Sequence, residues 1–186
     1  MMPLSRVRAD AREHTRALPG DALIPNAVDS WTHATTLNCR PAAAWPWLVQ
    51  MGAGRAGWYS YDWIDNGRQP SATRIVPALQ EPNVGSIFPA LPGSTDAFVL
   101  VDKETNHWLV LGVPGERGGY VVTWAFVLEE MAANRTRLLV RARGSAEYRF
   151  HGMPHAMSLW LMKLVHSVME RKQLIEIAAR AEARPA

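Results

Sequence analysis

The densest run of side chains able to do chemistry is Trp58-Tyr59-Ser60-Tyr61-Asp62-Trp63-Ile64-Asp65. A tyrosine hydroxyl or a carboxylate can orient or protonate a bound carbonyl once burial shifts its pKa. The same residues also suit a structural plug, with aromatics sealing a sheet and carboxylates capping turns or pairing with arginine. Arg171 is the most pointed single residue. Met157, Leu161, Leu164, Val168, Ile175 and Ala178 recur at helical spacing, and Arg171 is the one charge on that stripe. A charge on a dry face needs a partner, water or a ligand. Asp62, Asp65 or an anionic ligand group would serve; a slight rotation of the helix would instead let Arg171 snorkel to solvent.

Other motifs point away from specific chemistry. Gly52-Ala53-Gly54-Arg55-Ala56-Gly57 matches G-x-G-x-x-G, but a dinucleotide site needs a strand before it and an acidic residue about twenty positions later. The preceding residues read as a helix, and the acidic residue after Asp65 is Glu81. A tight connection is the better account. His33, His107, His151, His155 and His166 are scattered, and Gly152 and Pro154 break the spacing of His151 and His155, so no metal site is expected. Ser60 lacks the glycines of a nucleophile elbow. Cys39, the single cysteine, reads as a small buried filler. No cofactor is expected.

Composition narrows the partners. A net charge of +3 with arginines spread along the chain lacks the concentrated basic face of a nucleic-acid binder. The apolar stretch from His155 to Met169 is interrupted by Lys163 and His166 and is too short to span a bilayer. With no signal-like apolar core at the N-terminus, a cytoplasmic protein is expected. The eight tryptophans suit a cavity or interface, since each brings large area and one N–H, though a Trp-rich core would use them too.

The chemistry-bearing residues need elements to hold them. Residues 1–20 form a polar, Arg-rich N-terminal arm that ends at Leu18-Pro19-Gly20. Ser30–Asn38 reads as a strand, Pro41 opens a helix over Ala42–Met51, and two helical turns are expected within Trp58–Asn66. Strands follow at Val84–Phe88, Asp96–Val101, His107–Gly112, Tyr120–Leu128 and Arg135–Arg143. In the last, Leu138, Val140 and Ala142 face one way while Arg135, Arg137, Arg141 and Arg143 face the other, which predicts one dry and one wet face. Pro154–Glu182 is the segment long enough to cover the dry face, a helix of roughly 40 Å. The layout is α+β.

The segments PAAAWPWLVQMGAGRAGWYSYDWIDN, IVPALQEPNVGSIFP, WAFVLEE, RTRLLVRAR and VMERKQLIEIAARAE resemble bacterial SRPBCC proteins, the START-like helix-grip superfamily that includes polyketide cyclase/dehydrase and lipid-transport-like members. The resemblance covers about residues 21–183. It implies a single domain over 21–186, with a curved antiparallel sheet wrapped around a long C-terminal helix and a pocket between them. It names no substrate, because one fold hosts many functions. The leading expectation is a binding module for a hydrophobic small molecule: a lipid, a polyketide or an aromatic metabolite. The alternative is a cyclase or dehydratase using Tyr59, Tyr61, Asp62 and Arg171 as acid–base groups; a third is a partner domain with a collapsed pocket. Candidate ligand-contacting residues are Trp58, Tyr59, Tyr61, Asp62 and Trp63 from the aromatic run, Trp124 and Phe126 from a strand, and Leu164, Val168 and Arg171 from the helix. Oligomeric state is left open.

Overall fold

The computed structural model describes residues 7–94, 96–149 and 152–183, with backbone alone at 155, 159, 165 and 166. Six antiparallel strands make one curved sheet: β1 (Asp29–Leu37), β2 (Ile87–Pro89), β3 (Ala97–Glu104), β4 (Trp108–Pro114), β5 (Tyr120–Met131) and β6 (Arg135–Gly144). Their spatial order is β1-β6-β5-β4-β3-β2. Five helices join them: α1 (Ala11–Thr15), α2 (Pro41–Val49), α3 (Asp62–Asp65), α4 (His155–Leu164) and α5 (Glu170–Glu182). A π-helical turn, Val165–Met169, connects the last two into one long C-terminal element. The architecture is thus α+β, with the helix-grip layout expected.

Register explains where the core sits. Rows of inward side chains cross the sheet, such as His33–Val140–Phe126–Leu109 and Thr35–Leu138–Leu128. One end of this inner face carries large residues, Leu37, Leu109, Phe126 and Leu138. They pack against Trp45 and Leu48 of α2 and Leu174, Ile177 and Ala178 of α5 in one apolar cluster. Toward the other end the row becomes Val113–Val122, beside Ala142 and Gly144, and the side chains shrink. A bulge between Leu100 and Asp102 breaks the β3–β4 register, a feature that increases local twist and bending.

The Gly52–Gly57 connection is a closed loop between α2 and the aromatic run. Gly52 and Gly57 exchange both backbone hydrogen bonds, at 3.1 and 3.0 Å. Gly57 has φ +78°, and a Cβ there would overlap the Ser71 hydroxyl, so packing and backbone both demand glycine. Arg55 folds back to donate to the carbonyls of Met51 and Val49 at the end of α2, at 2.8 and 2.9 Å. Helix C-terminal carbonyls lack intrahelical partners and attract cations, which is the role Arg55 fills.

The arginine face of β6 is wet only at Arg135; Arg137 and Arg143 are half-buried and Arg141 is buried. Arg141 is 3% exposed. Residues 7–24 lie over it as a strap, with Ala9 and Leu18 joining Ala34, Val127 and Leu139 in a second apolar cluster. Arg141 donates to Thr32 Oγ1 (3.0 Å), to Asp21 Oδ2 (2.6 Å) and to the carbonyls of Glu13, His14 and Arg16. Asp10 and Glu13 form a reciprocal capping box on α1. Glu13 also takes a bidentate pair from Arg137, 2.7 and 2.8 Å. Period-two alternation separates the faces of a strand but cannot say what covers each. A guanidinium, with five donors, can satisfy the carbonyls of an irregular segment and so bury under it.

The Arg137 hydrogen bonds hold the Glu13 carboxyl below its usual range despite burial. A depressed carboxylate stabilises the fold above its unfolded pKa, and that gain disappears as pH falls through the lower folded value. Glu13→Gln should therefore cost on the order of 1 kcal/mol at pH 7 in urea unfolding, with the difference from the parent closing as pH falls through the lowered folded value. Equal stability at pH 7, or an unchanged gap in acid, would contradict this role for the strap.

Candidate ligand-binding cavity

A cavity of about 300 Å3 opens where the sheet's inward side chains become small. Its floor is Val113, Val122, Trp124 and Ala142, with Phe98 beside them. Its roof is Ser158, Leu161, Met162 and Met169 from the C-terminal element. Trp58, Ser60, Ile64 and Asp65 close one side, and Ala90, Leu91 and Tyr148 another.

One buried and one partly buried hydrogen bond tie the walls together. Gln173 Nε2 donates to the Trp58 carbonyl at 3.0 Å, and Ser60 Oγ donates to the Met169 carbonyl at 3.1 Å. Both tie the C-terminal element to the aromatic run. Tyr59, between these anchors, has φ +58°. A non-glycine residue there costs of order 1–2 kcal/mol. The Ser71 hydroxyl accepts from the Tyr59 amide at 3.1 Å, holding the turn. This conformation lets Trp58 and Ser60 line the cavity while Tyr59 enters the main core.

The aromatic wall is a packed group. Trp58 and Trp124 stack with centroids 5.2 Å apart, and Phe98 lies 5.8 and 5.4 Å from them. Trp58 Nε1 donates to the carbonyls of Pro89 and Ala90 at 3.2 and 3.1 Å. Asp65, Glu170 and Gln173 also line the cavity, each at most 5% exposed. Burial, and secondarily the charge of Asp62, pushes the Asp65 carboxyl up to about 6. Glu170 faces His33 Nδ1 at 3.6 Å. Asp65 Oδ1 and Gln173 Oε1 are buried acceptors without a hydrogen-bond partner among the described residues. A second depression of about 470 Å3, with Asp96, Arg117 and Glu147 on its rim, adjoins the cavity across Phe98 and Tyr148. Burial first, then Asp96, pushes the Tyr148 hydroxyl up to about 12.

Of the residues expected at the site, Trp58 and Trp124 line the cavity. Phe126 packs directly behind Trp124, 4.9 Å between centroids. The others stand elsewhere. Tyr59 is in the main core, where its hydroxyl accepts from Gln50 Nε2 at 2.9 Å and its ring lies under the Arg180 guanidinium. Tyr61 meets the Lys172 ammonium, 5.5 Å from the ring. Asp62 accepts from the Ser71 amide and hydroxyl, at 3.0 and 2.5 Å. Trp63 is 69% exposed, and Leu164 and Val168 are nearly half exposed. Arg171 lies on the exposed side of α5 and does not reach Asp62 or Asp65 through any described ion pair. The acid–base set of Tyr59, Tyr61, Asp62 and Arg171 is therefore not assembled in the cavity.

The helix face departs from the expected stripe for a definable reason. The inward positions are Ser158 and Met162 in α4, then Glu170, Gln173, Leu174, Ile177, Ala178 and Ala181 in α5. The π turn inserts extra chain between the two sets and rotates one against the other. Hydropathy alone selects Met157, Leu164 and Val168, which face outward, and passes over Ser158, Glu170 and Gln173, which face inward. Glu170, not Arg171, is the buried charge of this element. The signal for it was the 3–4 spacing of Glu170 and Gln173 with Leu174 and Ile177.

Remaining motifs have local roles. Cys39 packs on the main core, and burial pushes its thiol up to about 11, so it is protonated at neutral pH. His151 lies outside the described residues, as do the side chains of His155 and His166. Among the described residues no helix is long and apolar enough to cross a membrane.

No family model matches the chain, and no curated protein does. Solved structures similar to it include protein MLL2253 from Mesorhizobium loti, at 12% identity and TM-score 0.47, covering 85% of this chain and 100% of that one. The di-domain ARO/CYC BexL of the BE-7585A biosynthetic pathway is similar at 17% identity and TM-score 0.45, over 88% of this chain and 54% of BexL. The self-sacrificing resistance protein CalC from Micromonospora echinospora is similar at 14% identity and TM-score 0.41, over 82% and 91%.

The raised Asp65 pKa has a stability consequence opposite in sign to that of Glu13. An acid whose folded pKa exceeds its unfolded value opposes folding once ionised. The penalty is absent below about pH 4 and complete above the folded value near 6. Asp65→Asn should raise unfolding stability by roughly 1–2 kcal/mol at pH 7.5 and leave it unchanged at pH 4. A less stable variant at pH 7.5 would show that the carboxylate is compensated in the native state.

Proposed function

We propose that this protein binds a hydrophobic small molecule, a lipid, polyketide or aromatic metabolite, in the cavity between the sheet and the C-terminal helices. The observation that carries the reading is an apolar space of about 300 Å3 whose walls are joined by hydrogen bonds. That volume lies at the small end of ligand pockets, and equals about ten water molecules. Water gains few hydrogen bonds against walls of Trp58, Phe98, Val122, Trp124, Leu161 and Met162, so an apolar ligand that displaces it gains free energy. Asp65, Glu170 and Gln173 supply polar groups among these apolar walls, the combination that orients an otherwise greasy guest. A compact ring system or a short acyl chain fits this volume better than a long lipid tail.

Filling the space tests the reading. Ala142→Leu places three further carbons on the cavity floor. The parent should bind the neutral fluorophore N-phenyl-1-naphthylamine with micromolar Kd, and the variant should bind it roughly tenfold more weakly, about 1.4 kcal/mol. The variant's Tm should be unchanged or higher, as is common for cavity filling. Equal binding by both proteins, or none by the parent, would overturn the proposal.

A further inference from the structure

The buried polar side chains of the cavity bear on the kind of head group a ligand would carry; this inference rests on the binding reading above and narrows it. Polar groups in an apolar site must be matched by the guest, because an acceptor buried without a donor loses its hydration and receives nothing in return. Asp65 and Gln173 line the cavity at 5% and 2% exposure. Asp65 Oδ1 and Gln173 Oε1 have no hydrogen-bond donor among the described residues. The amide of Gln173 cannot turn to relieve this, since its Nε2 is committed to the Trp58 carbonyl and lies 3.7 Å from Met51 Sδ. Both acceptors are closed to solvent as they stand, and the Tyr61 and Asp65 amides give the carboxylate only a secondary pull, so a donor from the guest would meet them after a small shift of the lining side chains.

Charge decides which donor. Among the described lining residues, Asp65 and Glu170 are acidic and none is Lys, Arg or His. Glu170 faces His33. Lys172 acts on Asp65 from α5, but its ammonium is already paired with Glu176 at 3.1 Å and faces the Tyr61 ring. Asp62, on the same short helix, adds negative charge beside Asp65. Trp58, Trp124 and Phe98 line the same cavity, and the faces of such rings attract a cation. A buried Asp65 carboxylate without a lining cation, in a cavity that tryptophans also line, makes a site complementary to a positively charged head on an apolar body.

We infer that the cavity selects a lipophilic amine in its protonated form, its ammonium donating to Asp65 and Gln173 and its apolar body lying against Trp58, Phe98 and Trp124. An alcohol of the same shape can fill one acceptor but leaves the carboxylate charge unmatched. A carboxylic acid of the same shape is repelled.

The experiment compares three probes of one shape on the full chain: 1-naphthylmethylamine, 1-naphthalenemethanol and 1-naphthoic acid, titrated at pH 7.5 by isothermal calorimetry or tryptophan quenching. The amine should bind at least tenfold more tightly than the alcohol, and the acid least well. In Asp65→Asn the amine's advantage should shrink to less than about threefold, with alcohol binding retained. In the parent, the advantage should also fall as pH drops through about 6, where Asp65 takes a proton and the amine stays charged. Alcohol or acid binding as tightly as the amine would overturn the inference, as would an Asp65→Asn variant that weakens all three equally. If neutral N-phenyl-1-naphthylamine binds and the amine does not, the amine assignment fails while the cavity reading stands. If no probe binds, both fail.

Discussion

The buried hydrogen bond from Gln173 Nε2 to the Trp58 carbonyl is the constraint on which the site depends. It joins the middle of the C-terminal element to the aromatic run, two segments that would otherwise be free to collapse onto each other. Together with the Ser60–Met169 bond it fixes the roof at a set distance from the wall. Directional bonds can do this; apolar contact alone would close the gap, because nothing in the hydrophobic effect favours an empty space.

The sheet contributes the other half of the constraint. Along its inner face, Leu109, Phe126 and Leu138 give way to Val113, Val122, Ala142 and Gly144. The large-residue end meets α2 and the C-terminal half of α5 and fills solidly. The small-residue end cannot reach the helices with its own side chains. Glycine at 144 also lets the Met162 methyl approach closely, where a Cβ would stand 3.1 Å from it. On the outer face the strap, sealed by Glu13–Arg137 and Asp21–Arg141, supplies a second core that supports the sheet independently of the cavity. An open interior costs dispersion contacts, and the two flanking cores supply the packing that offsets the loss.

Much of this was legible in the residues. The Leu138/Val140/Ala142 alternation located the inner face of β6, because period two admits little ambiguity. The Gly-rich loop was recognisable as a connection because a helix precedes it. Trp58 and Trp124 were placed at the site by their size and by the strand and turn that hold them. What hydropathy could not show was the rotation of the C-terminal element. Its outer side carries Met157, Trp160, Leu164 and Val168, while its inner side carries Ser158, Glu170 and Gln173. Sequence patterning fails where polar groups are turned inside, as Ser158, Glu170 and Gln173 are here. The wet face expected for the β6 arginines holds at Arg135 and fails at Arg141 for a different reason: the burial of Arg141 depends on carbonyls from residues more than a hundred positions away.

The methyl groups of methionine give the most direct view of the central claim. Met162 and Met169 line the cavity, whereas Met131 and Met157 are exposed outside it. With 13C-methyl-labelled methionine, a titration of N-phenyl-1-naphthylamine should shift the Met162 and Met169 resonances and leave Met131 and Met157 in place. Shifts confined to the exposed methionines, or no saturable shift at all, would contradict a ligand cavity between sheet and helix.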